Sequence, residues 1–260
     1  MNAVIEQMLN HRSIRKYKDR DVPRDLLERI LEAGTMASSS GNMQAYSIIV
    51  TRERAVREAL FEPHFQQSMV LDAPVLLTFC ADFNRMRKWL EISNAPENFG
   101  NLMSFMIAAI DAILVSQNVA LAAESEGLGV CYMGTTLANC EKIAAILKCP
   151  GHVVPVVGFS LGYPDEQPEV RKRLPLKGLV HEETYKEYEP QEIQSIYSER
   201  ETLGWNRYMS IPELKSMVFK VGAENLAQIY TKVKYTKESH IEYSETVKRC
   251  LEKQGFLHQS

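Results

Sequence analysis

No C-x-x-C pair occurs among the 260 residues, and the five cysteines, Cys80, Cys131, Cys140, Cys149 and Cys250, are odd in number and widely spaced. This argues against a disulfide framework or a zinc site and fits a reducing cytoplasm. Cys80 and Cys131 lie inside apolar runs and read as small core residues. A surplus of positive charge is also lacking: 30 Lys and Arg stand against 33 Asp and Glu, a net charge of −3, so nucleic acid is not an expected partner. The segment from Met1 to Asn10 has Glu6 and no apolar run of signal-peptide length. Leu102 to Ala123 is the one stretch long and apolar enough to suggest a membrane span. It carries Asp111, Ser116, Gln117 and Asn118, which lipid tolerates poorly, so it reads as a buried helix and no membrane association is expected. There is no G-x-S-x-G nucleophile motif, no G-x-G-x-x-G dinucleotide motif and no metal-ligand spacing.

What is present is an ordinary globular composition, 45% hydrophobic and 24% charged. Patterning predicts helices over Ala3–Leu9, from Pro23 to Gly34, over Glu53–Leu60, from Arg85 to Leu90, over Leu102–Glu126 and over Cys140–Leu147, the last capped by Asn139. Strands are expected at Ser47–Thr51, Val75–Cys80, Leu128–Met133 and Val153–Phe159, with Pro155 marking an edge or a bulge. Leu161-Gly162-Tyr163-Pro164 reads as a turn, residues 181–210 show little core pattern, and 213–254 return to helical spacing. Leu102–Glu126 is apolar nearly all round, which suits either a monomer core helix or one partly covered by a second subunit.

The most compact chemical feature is His11-Arg12-Ser13-Ile14-Arg15-Lys16-Tyr17. Arg12 and Arg15 are three apart, so one turn places both guanidinium groups on one side, with the Ser13 hydroxyl between them. That set suits a phosphate monoester, whose oxygens match the arginine fork. A solvated basic face is the other reading of the same residues.

Several segments, taken together and in order, resemble the FMN-dependent nitroreductases. They are His11–Arg15, then Ser38-Ser39-Ser40-Gly41-Asn42-Met43-Gln44-Ala45, then Asp111-Ala112 through Ala122-Ala123-Glu124-Ser125-Glu126-Gly127-Leu128-Gly129. Phe159–Pro164, Arg171-Lys172-Arg173-Leu174-Pro175 and Val180–Tyr185 follow. The order and the long C-terminal region resemble the larger subgroup, that of nitroreductase A and the NAD(P)H-flavin reductases. The resemblance implies an α+β fold, a mixed β-sheet flanked by helices, in an intertwined homodimer with the long central helix at the interface. It implies an FMN-binding core over residues 1–190 and a C-terminal helical extension of the same domain, residues 191–260, wrapping the partner.

The same resemblance assigns the cofactor contacts. His11, Arg12, Ser13 and Arg15 would hold the FMN phosphate, with Arg171 and Arg173 as a second basic pair. Ser38, Ser39 and Ser40 would approach the isoalloxazine ring with hydroxyls and backbone. Gln67 matches a ring-bonding position, with a plain surface glutamine as the alternative. Tyr132, Met133, Gly134 and Thr135 match the strand end that passes the ring, with a core aromatic as the alternative for Tyr132. Thr135 stands where the family usually has a second glycine, and Arg171-Lys172 replace its usual lysine and proline. Arg200 and Arg207 match the region that grips NADPH, with NADH as the alternative donor. The flavin carries the chemistry, so no catalytic side chain and no metal are expected, and histidines other than His11 receive no role. Hydride would pass from NAD(P)H through flavin N5 to nitroaromatics, quinones or flavins in ping-pong fashion. A reductase feeding reduced flavin to a partner, and a flavin-binding protein without turnover, are the alternatives.

Overall fold

A computed structural model describes residues 2–257. Met1 and residues 258–260, the outer ends of the two expected spans, lie outside the described residues. The chain divides into two compact units, one of residues up to Val170 together with Tyr243 onward, the other Arg171–Glu242. The division does not fall at residue 190. The stretch before it goes with the helix that follows, since Gly178 lies hard against Ile196. The last residues return to the first unit, where Cys250, Leu251 and Phe256 are buried in its core.

The first unit is built on strands β1 (Tyr46–Thr51), β2 (Val75–Asp82), β3 (Gly129–Tyr132) and β4 (Val153–Gly162). They form one sheet in the order β1-β2-β4-β3. Every pairing among them is antiparallel, where the resemblance implied a mixed sheet. The connections explain this: β1 leaves at Thr51, opposite Leu76, and the chain re-enters β2 at the same end after a short helical excursion. Every residue of β2 is buried, which accounts for its unbroken apolar run.

Around the sheet lie α1 (Ala3–Leu9), α2 (Arg24–Thr35), α3 (Arg54–Phe61), α4 (Met69–Asp72), α5 (Asn84–Ile92), α6 (Leu102–Ser125), α7 (Thr135–Ala138) and α8 (Cys140–Ile146). Alternation along β2 sorts the layers: Val75, Leu77 and Phe79 face α2 and α6, while Leu76 faces Leu60, Met69, Val70 and Ile143 of α3, α4 and α8. α2 and α6 meet closely at Gly34, where an added Cβ would lie 2.1 Å from Val119 Cγ2.

One pair of alternatives is decided and three expectations are corrected. Pro155 sits in an inner strand, at a bulge where the β2–β4 register slips between Phe79 and Cys80; β3 pairs only from Phe159 onward, so the proline removes no ladder bond on that side. Leu161 and Gly162 continue β4 instead of turning, because Gly162 pairs with Gly129. Asn139 makes no side-chain cap for α8; its Nδ2 donates to the Pro63 carbonyl at 2.7 Å. α6 is not covered all round: Leu102, Met103, Met106, Ile110, Ile113 and Leu114 are exposed. α6 has the length and composition of a membrane span, with half of its most apolar window buried in the fold.

The second unit contains α9 (Pro190–Ser210), α10 (Pro212–Lys220) and α11 (Leu226–Ile229), followed by α12 (Lys237–Lys253), which runs on past Tyr243. α9 overturns the reading of 181–210 as patternless. It buries few residues, Ile196 and Tyr208, and so leaves a weak stripe; its start is fixed by Pro190 and a reciprocal Glu189–Glu192 capping box. Tyr208, Val218, Ala223, Leu226 and Ile229 form this unit's own core.

Candidate functional site

The basic segment is held by its backbone. Ile14 N donates to the Val130 carbonyl at 2.9 Å, which lays the segment along the outer side of β3. Gly129 and Gly162 face each other across the ladder, and an added Cβ at either would strike Ile14 or Tyr17 and Pro74 at 2.6–2.9 Å. Only a pair of residues without Cβ atoms lets the segment lie so close. One carboxylate oxygen of Glu166 accepts from the backbone N–H of Arg15 at 2.5 Å and of Lys16 at 3.1 Å. The Tyr17 hydroxyl donates to the Ile14 carbonyl at 2.6 Å and meets Ser160 Oγ at 2.7 Å; burial pushes its pKa up, so it stays a donor.

The side chains then divide. His11 Nδ1 meets Glu124 at 2.6 Å, and Arg12 donates to the carbonyls of Asn10 at 3.2 Å and Pro168 at 3.3 Å. Both are committed to shaping the loop. Arg15 is exposed, with the Ser13 carbonyl at 3.5 Å from its guanidinium. Arg15 and Ser13 are therefore the members of this set best presented to an anion. A cavity of about 600 Å³ opens beside the segment, but Glu6, Glu124 and Glu166 line it with Arg12. Three carboxylates against one guanidinium make poor surroundings for a phosphate.

The serine loop is anchored from α6. Asp111, fully buried, accepts from Ser40 N at 3.0 Å and Ala45 N at 3.3 Å, one bond on each carboxylate oxygen. Ser39 and Ser40 are half-buried and Ser38 is exposed. α6 also reaches Tyr132, whose hydroxyl donates to Ser116 Oγ at 3.2 Å while its ring packs edge-on to Phe159. Tyr132 is thus a core aromatic at the strand end, and the backbone of Met133-Gly134-Thr135 continues from it. Three polar residues of this largely apolar helix each hold one candidate segment: Asp111 the serine loop, Ser116 the end of β3 and Glu124 the basic segment.

A residue that sequence reasoning passed over ties together the remaining positions. His64 is 1% exposed; its Nδ1 meets Thr135 Oγ1 at 2.8 Å, and its carbonyl accepts from Gln67 Nε2 at 2.9 Å. Burial lowers its pKa to about 4, so the ring is neutral near pH 7. Thr135, the departure from the family's glycine, thereby has a partner that glycine could not supply. Two loops of this region are wound tightly. Four of the eight non-glycine residues with positive φ among the described residues, Asn42, Gln44, Phe65 and Gln66, fall in them. Left-handed backbone costs about 1–2 kcal/mol per ordinary residue and clusters where geometry serves function.

Arg171 and Arg173 belong to the second unit and are exposed; between them Lys172 is ion-paired to Glu199 of α9. Arg200 donates to the Tyr230 hydroxyl at 3.1 Å, and Arg207 is exposed seven residues further along α9, on the same face. The donor set fits FMN in its chemistry. Ser13 and Arg15 offer a hydroxyl and a guanidinium for a phosphate. Ser38–Ser40, Gln67, Gly134 and Thr135 offer amides and hydroxyls for a polar ring edge, with no carboxylate among them.

Known proteins share these motifs and this fold. Residues 8–163 match the model of the Nitroreductase family. A Bacillus subtilis (strain 168) protein named FMN reductase [NAD(P)H] is 32% identical over 260 residues, 98% of each chain. The oxygen-insensitive NADPH nitroreductase of Salmonella typhimurium LT2 is 38% identical over 186 residues, 71% of this chain and 75% of its own. A solved structure from Bacteroides fragilis NCTC 9343 is 42% identical and superposes with a TM-score of 0.89 over 97% of this chain and all of the other. The ordered motifs, the fold and likeness over nearly the whole length converge: this chain belongs to the nitroreductase family.

Proposed function

We propose that the chain is an FMN-dependent oxidoreductase that takes reducing equivalents from NAD(P)H and delivers them to nitroaromatics, quinones or flavins in alternating half-reactions. The observation that carries this reading is the convergence on α6. Asp111, Ser116 and Glu124 fix three segments distant in sequence, each bearing groups suited to a different part of one flavin nucleotide. FMN, when bound, supplies the centre that accepts a hydride and returns electrons to a second substrate. The protein's part is binding and orientation. Ser13 and Arg15, on a backbone fixed by Val130 and Glu166, hold the phosphate. Ser38–Ser40, Gln67 and the Met133–Thr135 backbone orient the ring, and neutral His64 holds Gln67 and Thr135 in place. Arg200 and Arg207 are assigned to the nicotinamide dinucleotide. The protein acts as a cytoplasmic homodimer, a second copy covering the exposed apolar stripe of α6 from Leu102 to Leu114.

The names of the relatives favour a second reading in the same chemistry, in which free FMN is itself the acceptor. Anaerobic mixing with NADPH and with NADH, followed by addition of nitroaromatic, quinone or free FMN, separates these. Bleaching of bound flavin by NAD(P)H and recovery on the acceptor are expected. Bound flavin that neither donor bleaches would leave only a flavin-binding protein.

The phosphate assignment has its own test. Arg15→Ala is expected to weaken FMN by about ten- to a hundred-fold while barely changing riboflavin, because a charge-assisted contact is lost from the phosphate alone. Fluorescence titration of the apoprotein with both ligands measures this, and equal losses would remove Arg15 from the site.

A further inference from the structure

Four of the five thiols stand in two neighbouring pairs, Cys80 with Cys149 and Cys140 with Cys250. The second pair is the more firmly framed. Cys140 opens α8, Cys250 lies near the end of α12, and both are buried in one apolar cluster with Phe105 and Phe256. Beside them, Glu141 of α8 receives Arg249 Nε at 3.5 Å and Lys253 Nζ at 3.7 Å from α12, so the residue next to each cysteine grips the opposite helix. A cavity of about 250 Å³ reaches this spot, lined by Glu141, Ala144, Cys149, Cys250 and the exposed Lys148 and Lys253.

We propose that Cys140 and Cys250 form a reversible redox site, which a hydroperoxide entering this cavity converts to a disulfide that staples α12 to α8. One sulfur attacks a peroxide oxygen; the O–O bond breaks, water leaves, and that sulfur becomes a sulfenic acid. The second sulfur attacks the first, the S–S bond forms, and the sulfenic oxygen leaves as water. The two thiols lose two electrons and two protons, and one hydrogen peroxide becomes two waters. The product is the same whichever sulfur reacts first. The neighbouring Cys250 thiol holds the Cys140 sulfur below the ordinary thiol range. In a reducing compartment such a bond is transient, as befits a sensor and not a structural staple.

The experiment treats the full-length holoprotein with hydrogen peroxide, alkylates the remaining thiols and maps peptides without reduction. Loss of two of the five thiols is expected, with one Cys140–Cys250 linked peptide that dithiothreitol removes. The oxidised protein is expected to melt higher than the reduced one, because the bond closes a long loop, and neither Cys250→Ser nor Cys140→Ser should show that rise. A Cys80–Cys149 link, a link between chains, or oxidation of Cys149 alone with Cys140 and Cys250 still open to alkylation would overturn the proposal.

Discussion

Replacing Asp111 with alanine is expected to cost about 2–5 kcal/mol of stability and to weaken FMN more than ten-fold, because two backbone N–H groups lose their acceptor where Asp111 is fully buried. The stability loss and the binding loss share one cause. The carboxylate holds Ser40 and Ala45 together, and between them the chain turns through Gly41, Asn42 and Gln44, all with positive φ. Without the anchor those residues relax toward ordinary backbone, and the serine loop leaves the position from which, on the proposed assignment, it meets the ring. Asp111→Asn keeps one acceptor but turns an NH₂ toward the other N–H, and should fall between wild type and alanine. Ser116→Ala, on the same helix, removes one hydroxyl and should lose about 1 kcal/mol or less. Urea denaturation and FMN titration of the set decide the matter. An Asp111→Ala protein with wild-type stability and wild-type FMN affinity would show that the loop holds itself.

Acid should act on the site through His64. Its pKa is about 4 in the fold against about 6.5 for an exposed histidine, so between these values the unfolded chain takes up a proton that the folded chain refuses. The contribution to stability is intact above pH 6.5, declines as pH falls through that window, and is fully lost near pH 4. The gap corresponds to about 3 kcal/mol. His64→Gln removes the titration while leaving a polar group to meet Thr135. The difference in unfolding free energy between wild type and variant is expected to narrow by about that amount from pH 7 to pH 4. FMN release from the wild type should set in near pH 4, where the folded-state ring takes its proton and a charged ring would have to leave its pocket and take Gln67 and Thr135 with it. Identical pH slopes for the two proteins would exclude His64 as the source.

Both residues show how the site was and was not legible in sequence. Asp111 was visible as a charge in an apolar helix, where it argued against a membrane span and opened one of the segments of the resemblance; the same charge is the anchor of the serine loop. His64 gave no signal, because one histidine among polar and aromatic neighbours carries no spacing, and its value lies in contacts with Thr135, 71 residues away. The strands and most helices were readable because their burial is periodic: Val75, Leu77 and Phe79 turn one way and Leu76 the other. α9 was not, since it buries little, although Glu189-Pro190 with Glu192 is a start signal that composition alone obscured. The turn expected at Gly162 followed from reading glycine and proline as breakers. Here the glycine serves close approach, which only a knowledge of what lies above it could reveal.

The glycine pair also bears on the order in which the molecule matures. Tyr17 meets Ser160 across 143 residues of chain, and Ile14 can settle only once β3 and β4 are paired to present Gly129 and Gly162. Closing so long a loop has an entropic cost that no local contact offsets, so the amino-terminal segment docks onto a sheet already formed. Residues synthesised well before the sheet are then among the last to find their place. On the proposed assignment, capture of the cofactor's phosphate becomes a late event, available to a finished sheet and denied to a half-assembled chain.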